Sequence, residues 1–222
     1  MSNNDKLRMR FSKYGRAVYI SHLDLMHTMQ RAFSRAGYEL KYSEGFNPHP
    51  QISIALPLSV GASSICEIMD FKLKDDVVPA EIPAKITAVL PEGIEVSECY
   101  IQERKVAELK YLRIEGVFEY DERDKAEMAE KLTEFYSAET IVITKKTKRG
   151  MGETDIRPGI KEIHFEAGEK LVKVTAVISA QEPTINPDLL SNAVSQKAPE
   201  ISPDFAKFTR IETYDMEMQV YR

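Results

Sequence analysis

Polar and apolar residues alternate, or recur at helical spacing, along most of the chain, and the resulting elements fall into two similar halves. The first half is predicted to contain strands at 6–11, 38–42, 51–56, 65–74 and 94–101 and helices at 21–36 and 79–90. The second half is predicted to contain strands at 109–120, 140–144, 160–166, 170–178 and 208–220 and helices at 123–136 and from residue 186 onward. Apart from extra β segments, both halves follow the ferredoxin-like order.

The fold class predicted from this order is α+β, with two tandem ferredoxin-like units, each an antiparallel sheet with two helices on one face. We predict domain boundaries at 1–102 and 108–222, with a polar linker between them. The first domain contains the helix that begins in Tyr-Ile-Ser-His-Leu-Asp-Leu-Met and the loop Ser-Glu-Gly-Phe-Asn-Pro-His-Pro. The second domain contains a basic hairpin at 145–152.

The helix at 21–36 has clear end signals. Ser21 and Asp24 have the spacing of a capping box, and Gly37 is a typical residue just after a helix. A short extended run at 17–20 is predicted to lead into this helix. Since the capping pattern explains Ser21 and Asp24 fully, it is favoured over a catalytic pair.

The same helix is predicted to be two-sided. Its apolar face is predicted to contain Leu23, Leu25, Met26, Met29, Ala32, Phe33 and Ala36. On the opposite side His27, Arg31 and Arg35 recur every four residues, so they form one cationic stripe. Charged stripes are usually solvated helix faces, and that alternative stays open here.

The loop at 43–50 is predicted to be stiff, because prolines flank His49 on both sides and a glycine precedes Phe46. Such a loop presents side chains at low entropic cost. Asn47 and His49 are suited to hydrogen-bond a base edge or a phosphate, and Phe46 is suited to stack on a base. The alternative is that Asn47 forms an Asx turn and His49 fills a polar gap.

Charge is distributed unevenly over the chain, whose net charge is −5. Residues 1–60 hold eight Lys/Arg and four Asp/Glu, whereas the remainder holds 22 and 31. The acidic total argues against general nucleic-acid binding, but a local basic patch can still attract an anion. In the first part, Arg16 adds to the cationic stripe as a candidate binding residue.

The second half carries a basic cluster made of Lys145, Lys146, Lys148 and Arg149, which we predict to contact RNA. The alternative is that the cluster is only an exposed, solvated hairpin tip. Arg157 precedes a proline, so its backbone is held extended, and its side chain is suited to enlarge this cluster. The alternative for Arg157 is a surface ion pair with Asp155.

Metal, cofactor and membrane chemistry find little support in the sequence. His22, Asp24 and His49 do not have a recognised ligand spacing, so no metal site is predicted, and no cofactor is predicted either. Cys66 and Cys99 are far apart, which favours reduced thiols. No stretch approaches the ~18 apolar residues of a membrane span, and the first residues lack a secretory signal, so we expect a cytoplasmic protein without membrane contact.

Several motifs resemble a bacterial family known as radical-SAM-linked proteins. The resemblance extends from Tyr19-Ile20-Ser21-His22-Leu23-Asp24-Leu25-Met26 through Gln30-Arg31-Ala32 and Arg35-Ala36-Gly37 to Tyr42-Ser43-Glu44-Gly45-Phe46-Asn47-Pro48-His49-Pro50 and Ala55-Leu56-Pro57-Leu58. Asp155-Ile156-Arg157-Pro158 is similar to the second signature of that family. The family occurs as a separate chain or fused behind a radical-SAM, cobalamin-binding-type protein, and it has no assigned biochemical role.

The resemblance implies a radical-SAM partner more than a reaction. This chain lacks the C-x-x-x-C-x-x-C run that holds the radical-SAM cluster, so it is not that enzyme by itself. At fold level it is also similar to the tandem ferredoxin-like proteins that bind CRISPR RNA. We therefore expect an accessory module that binds RNA and works with a radical-SAM partner in RNA modification or processing.

Two other functions stay open. The first is an enzyme that acts on RNA with His22 or His49 as acid or base, because imidazole titrates near neutral pH. The second is a protein-docking adaptor that uses the acidic second half as its surface.

Overall fold

The structure is a computed structural model that describes residues 6–147 and 150–222. The chain divides into two compact units, Met1–Val106 together with Arg222, and Ala107–Tyr221. Both units combine antiparallel strands with α-helices, so the chain is an α+β protein.

The first unit is built around four antiparallel strands within its described residues. The elements are β1 (Leu7–Lys13), α1 (His22–Arg35), β2 (Ile52–Ile54), β3 (Ser63–Phe71), α2 (Ile82–Thr87) and β4 (Ile94–Ile101). The strands lie in the order β4-β1-β3-β2. Short 3-10 helices at Gly15–Tyr19 and Pro79–Glu81 precede α1 and α2.

One face of this sheet packs against the helices. Its core contains alternate residues of β1 and β3 together with inward residues of α1 and α2: Leu7, Met9, Phe11, Met69, Phe71, Leu25, Met29, Phe33, Ile82 and Ile86. The rings of Phe33 and Phe71 lie 4.7 Å apart between centroids. Aromatic burial of this kind contributes a large share of the stability of a small unit.

The alternate face of β1 is buried as well, although its side chains are charged. Arg8 is 0% and Asp70 is 2% exposed, and the guanidinium donates from Nε to Oδ1 at 2.6 Å and from Nη2 to Oδ2 at 3.1 Å. Gln102 donates to the same carboxylate at 3.0 Å, and the Lys6 ammonium lies 3.3 Å from it. A buried carboxylate is tolerated only with partners of this number and quality.

Helix α1 begins as its sequence predicts. The Ser21 hydroxyl oxygen accepts from the amide of Asp24 at 3.2 Å, and the hydroxyl donates to the Asp24 carboxylate at 2.7 Å. After the helix the amide of Tyr38 donates to the carbonyl of Phe33 at 2.9 Å, across Gly37, whose φ is +80°. The two ends of the helix are therefore held by local contacts.

The cap gives a direct test of this local prediction. Ser21→Ala is expected to lower the free energy of unfolding by about 1 kcal/mol, because the amide of Asp24 loses the oxygen that accepts its hydrogen bond. Ser34→Ala is the matched control, since among the described residues the hydroxyl of this exposed serine bonds only to the Gln30 carbonyl, at 3.3 Å, and alanine favours the helix interior. Urea unfolding of both variants measures the difference; equal losses would argue against the cap.

The second unit follows a related order. Its elements are β5 (Tyr111–Glu119), α3 (Lys125–Tyr136), β6 (Val142–Thr147), β7 (Gly150–Asp155), β8 (Ile160–Ala167), β9 (Leu171–Ser179), α4 (Asp188–Lys197) and β10 (Phe205–Tyr214). One antiparallel set has the order β10-β5-β9-β8, and β6 pairs separately with β7. The core of the unit includes Phe118, whose ring lies 5.9 Å from that of Phe208 in an edge-to-face arrangement.

Three predicted strands differ from the structure. The segment 38–42 makes only isolated bridges, Leu40 with Leu73 and Tyr42 with Pro50, so the regular strand predicted there is wrong. The predicted extended run at 17–20 is wrong too, because a 3-10 helix occupies Gly15–Tyr19. The last strand ends at Tyr214, where a turn organised by Asp215 begins.

Candidate functional site

The loop at 43–50 is closed at its base by its own side chains. The Ser43 amide donates to the His49 carbonyl at 2.8 Å, and the His49 amide donates to the Ser43 hydroxyl oxygen at 3.1 Å. The imidazole Nδ1 of His49 lies 2.9 Å from the same hydroxyl. His49 therefore contributes to holding the loop closed.

The tip of this loop is open to solvent. Phe46 is fully exposed, at 102% of its reference area, and it follows Gly45, whose φ of +120° suits glycine. Asn47 and His49 are exposed as well. A phenyl ring with no packing partner is available to a flat ligand, and folding alone gives no reason for its position.

The cationic stripe lies on the exposed side of α1, as predicted, and His27, Arg31 and Arg35 are all exposed. The Arg35 guanidinium donates to the Val89 carbonyl at 2.7 Å. Within the described residues, the Arg31 side chain has no hydrogen bond and no ion pair. Unlike Arg35, Arg31 therefore has no donor engaged by another described residue.

Arg31 lines a cleft with a volume of about 580 Å³. The cleft lies between α1 and the segment that follows it, and its lining residues are Gln30, Arg31, Ser34, Gly37, Tyr38, Glu39, Leu40, Tyr42 and Lys74. A cleft of this size falls within the ~300–1,000 Å³ that small-ligand sites occupy. Tyr42 is 52% exposed, so part of its ring is accessible.

The wall opposite α1 is held in place by backbone hydrogen bonds and by one ion pair. The amide of Lys41 donates to the Lys72 carbonyl at 2.8 Å, and the amide of Lys74 donates to the Glu39 carbonyl at 2.9 Å. The Lys74 ammonium also bonds the Glu39 carboxylate at 2.6 Å. This hydrogen bond lowers the pKa of the Glu39 carboxyl and raises the pKa of the Lys74 ammonium, so both stay charged at neutral pH.

The cleft unites only part of the predicted site. It brings Arg31 next to Tyr42, the residue that precedes the loop, whereas Phe46, Asn47 and His49 are not among its lining residues. The sequence did not single out Gln30, Ser34, Tyr38, Tyr42 or Lys74 as site residues. Gln30 and Tyr42 lie in the motifs that resemble the family, but those motifs gave neither residue a role. Gln30 and Ser34 flank Arg31 on the helix, and Tyr42 adjoins the loop.

The region before α1 is shaped by a buried lysine. Lys13 is 1% exposed, and its ammonium donates to the carbonyls of Val18 and Ile20 at 3.1 and 2.9 Å. Burial lowers the pKa of Lys13, while the nearby Glu67 carboxylate opposes that change. The 3-10 turn supplies the acceptors that this ammonium needs, and it leaves Arg16 exposed on its outer side.

The chemical roles considered for the histidine and carboxylate side chains near α1 stay predictions. His22 is exposed in the first turn of the helix, and Asp24 is engaged by Ser21. Within the described residues, no group of three His, Cys, Asp or Glu side chains could hold a metal ion. Cys66 and Cys99 are free thiols, and burial raises the pKa of Cys99 to about 12.

Two residues of the basic cluster, Lys145 and Lys146, lie on the β6–β7 hairpin. Both belong to strand β6, where Lys145 pairs with Gly152 and Lys146 pairs with Met151. Lys148 and Arg149 lie outside the described residues. Their predicted RNA contacts therefore stay predictions.

Arg157 begins a short 3-10 helix (Arg157–Gly159), so the extended backbone predicted for it is wrong. Its side chain is engaged with its own unit. Its guanidinium donates from Nε to the Ala138 carbonyl at 3.2 Å and from Nη1 to the Ile160 carbonyl at 2.8 Å. Asp155 accepts from the amides of Ile141 and Arg157 at 2.8 and 3.0 Å. The contacts described for these two side chains organise the backbone around the hairpin.

Comparison with known proteins identifies the family. Residues 6–187 match the family described as "Uncharacterized protein conserved in bacteria (DUF2344)". The chain belongs to this family. The description agrees with the bacterial, functionally unassigned family that the motifs indicated, while the link to a radical-SAM protein stays a prediction. A comparison with curated proteins finds no match.

Two solved structures match the chain at low sequence identity. A chain of the "Crystal Structure of a Cbf5-Nop10-Gar1 Complex" is 9% identical, with a TM-score of 0.51, and the match covers 93% of this chain and 48% of that one. The family member thus spans about half the length of that structure, and the likeness concerns the fold. A second match, "Crystal Structure of an Unknown Protein from Galdieria sulphuraria", is 10% identical over 93% of this chain and 98% of that chain, with a TM-score of 0.28.

Over residues 6–147 and 150–222, no helix combines the length and apolar character that crossing a membrane requires.

Proposed function

We propose that the chain is an accessory module that binds single-stranded RNA through the cleft beside α1. The observation that carries the proposal is the Arg31 guanidinium, exposed and without a protein partner among the described residues, in a cleft that also exposes the ring of Tyr42. A guanidinium suits a phosphate and an aromatic ring suits an unstacked base. The Glu39–Lys74 pair adds a donor and an acceptor at the opposite wall.

The loop at 43–50 would extend this surface. Phe46 is positioned for stacking by its complete exposure, and sequence-tolerant stacking contributes about 1–3 kcal/mol per base. Asn47 adds amide groups for a base edge. We assign His49 to closing the loop, because its backbone and Nδ1 both lie within bonding distance of Ser43. This role favours binding over acid–base catalysis.

The finer architecture fits the same proposal. The two sets of strands have the spatial orders β4-β1-β3-β2 and β10-β5-β9-β8. Along the chain, a helix follows the first and the third sheet strand of each set. Both features support two tandem ferredoxin-like units. In this view the β6–β7 hairpin is an insertion between the first helix and second sheet strand of the second unit. The domain boundaries that we propose are 1–102 and 108–222.

The partner is proposed from the motifs alone. The signature that includes Ser21 and His22, together with the loop at 43–50, is similar to radical-SAM-linked proteins, and the chain's two cysteines cannot supply a cluster of its own. We therefore propose a radical-SAM protein as the partner that modifies or processes the bound RNA in the cytoplasm.

Arg31→Ala tests the proposed interface. It is expected to raise the Kd for a fluorescein-labelled, unstructured RNA about tenfold, because a desolvated phosphate loses its counter-charge. The dependence of log Kd on log salt is expected to become shallower by about 0.7, the share of one phosphate contact on a single strand. Fluorescence anisotropy at several salt concentrations measures both quantities.

Arg113→Ala is the matched control, since this exposed arginine lies on β5 in the other unit and pairs with Glu115 at 3.5 Å. It removes the same charge from the chain and should leave RNA affinity nearly unchanged. If Arg113→Ala and Arg31→Ala weaken binding equally, the effect is net charge, and the cleft is not the site. Absence of salt-dependent RNA binding by the wild-type chain would refute the proposal outright.

A further inference from the structure

A second cleft, of about 490 Å³, lies inside the second unit between the β6–β7 hairpin and α4. Its lining residues are Thr144, Lys145, Met151, Thr184, Asn186, Leu189, Asn192 and Gln196. The volume again falls within the ~300–1,000 Å³ range of small-ligand sites. The folding of the two four-strand sets does not require such a space, because the hairpin is paired separately from them.

The hairpin wall of this cleft is fixed to the helix by a side-chain amide. The amide of Thr144 donates to Oε1 of Gln196 at 2.9 Å, and Nε2 of Gln196 donates to the Thr144 carbonyl at 3.0 Å. Gln196 thus satisfies both backbone groups of one strand residue, as a neighbouring strand would. The two walls are therefore held at a defined separation, which lowers the entropic cost of binding between them.

The charge of the cleft is opposite to that of the chain. The protein has 35 Asp and Glu against 30 Lys and Arg, yet among the described residues the lining of the cleft includes Lys145 and no carboxylate. Within the described residues, the Lys145 ammonium has no hydrogen bond and no ion pair. A cation in this setting favours an anionic ligand over a cationic one.

The remaining walls suit a flat, hydrogen-bonding ring. Leu189 and Asn192 are three residues apart on α4, so they face the cleft together. Met151 projects from β7 and is 70% exposed, and a thioether makes favourable contacts with aromatic rings. The amide of Asn192, which has no partner among the described residues, is able to pair with the N6 and N7 edge of adenine.

We propose that this cleft binds one adenine nucleotide of a single-stranded RNA. The base lies against Met151 and Leu189, Asn192 pairs with its edge, and Lys145 binds its phosphate. This inference rests on the proposed function for its ligand class, since RNA is the polymer that would carry the nucleotide. It adds a base-selective contact in the second unit.

The test uses the full chain with ¹³C-methyl-labelled methionine and adenosine 5′-monophosphate as the probe. The Met151 methyl signal, identified among the nine methionines with Met151→Leu, is expected to shift in a saturable way during titration. Lys145→Ala is expected to raise the Kd for this probe about tenfold and to leave the weaker affinity for adenosine unchanged. Lys197→Ala, a cation at the end of α4 that does not line the cleft, is the matched control and should bind like wild type.

Each other outcome has a definite meaning. If the Met151 signal does not move at the highest concentration at which adenosine monophosphate dissolves, the inference is wrong. It is also wrong if inorganic phosphate shifts the signal equally, because the base then contributes nothing. Arg31→Ala should leave the Met151 titration intact. If RNA binding depends on Arg31 while adenosine monophosphate leaves Met151 unmoved, only this inference fails. If adenosine monophosphate shifts the Met151 signal while Arg31→Ala leaves the RNA affinity unchanged, only the proposal for the cleft beside α1 is wrong.

Discussion

Asp70→Ala is expected to lower the free energy of unfolding by about 3–5 kcal/mol, the range seen when one partner of a buried ion pair is removed. The carboxylate receives two bonds from Arg8 and one from Gln102, and the Lys6 ammonium lies 3.3 Å away. Its loss takes the balancing charge from a guanidinium that is 0% exposed. Urea unfolding followed by circular dichroism measures the change.

Glu39→Ala is the matched control for this prediction. It also removes a carboxylate from an ion pair, with Lys74 at 2.6 Å, but both side chains are more than half exposed. Water screens such a pair, so the expected loss is much smaller than that of Asp70→Ala. Similar losses for the two variants would mean that the burial of Asp70 does not govern its contribution.

Gly93→Ala is expected to cost about 3 kcal/mol or more. Gly93 has a φ of +89°, and a Cβ there would lie 2.4 Å from the backbone carbonyl oxygen of Tyr14 and 3.0 Å from Cβ of Ala17. The Tyr14 amide donates to the Gly93 carbonyl at 2.8 Å, so neither backbone can withdraw without losing that bond. The left-handed conformation and the steric overlap therefore add together.

Gly37→Ala separates these two causes. Gly37 has a similar φ of +80°, but nothing lies within 4 Å of the position of its Cβ. It should lose only the conformational part, about 1 kcal/mol. Thermal or urea unfolding of both variants decides the matter, and a Gly93→Ala protein as stable as Gly37→Ala would show that the loop relaxes around the new methyl group.

Features encoded by local signals were predictable from the sequence. The cap at Ser21, the stop at Gly37 and the exposed cationic stripe all depend on contacts within a few residues, and the structure contains them. Leu23 was assigned wrongly to the apolar face and is 64% exposed. It lies two residues from the buried Leu25, which places it on the far side of the helix.

Features that depend on distant partners were not predictable. The turn at Gly15–Tyr19 exists beside the buried ammonium of Lys13, which needs carbonyl acceptors that an extended segment would not supply. Strand β7 begins with Gly150 and contains a second glycine, so its propensity is weak, and pairing with β6 holds it extended.

The candidate site shows the same division. Arg31 was predictable because it repeats along the helix, but the cleft beside it also needs Lys74, which is 43 residues further along the chain. Tyr42 carries no motif of its own that indicates a role. Only the folded chain brings the helix, the following segment and the Lys74 region to one surface.

The complete exposure of Phe46 gives the protein a built-in place for an optical reporter. The chain contains no tryptophan, so Phe46→Trp would introduce a single indole at a position whose ring touches nothing that folding requires. Its emission would begin at the wavelength of a fully hydrated indole, and any blue shift or quenching would report events at this one loop.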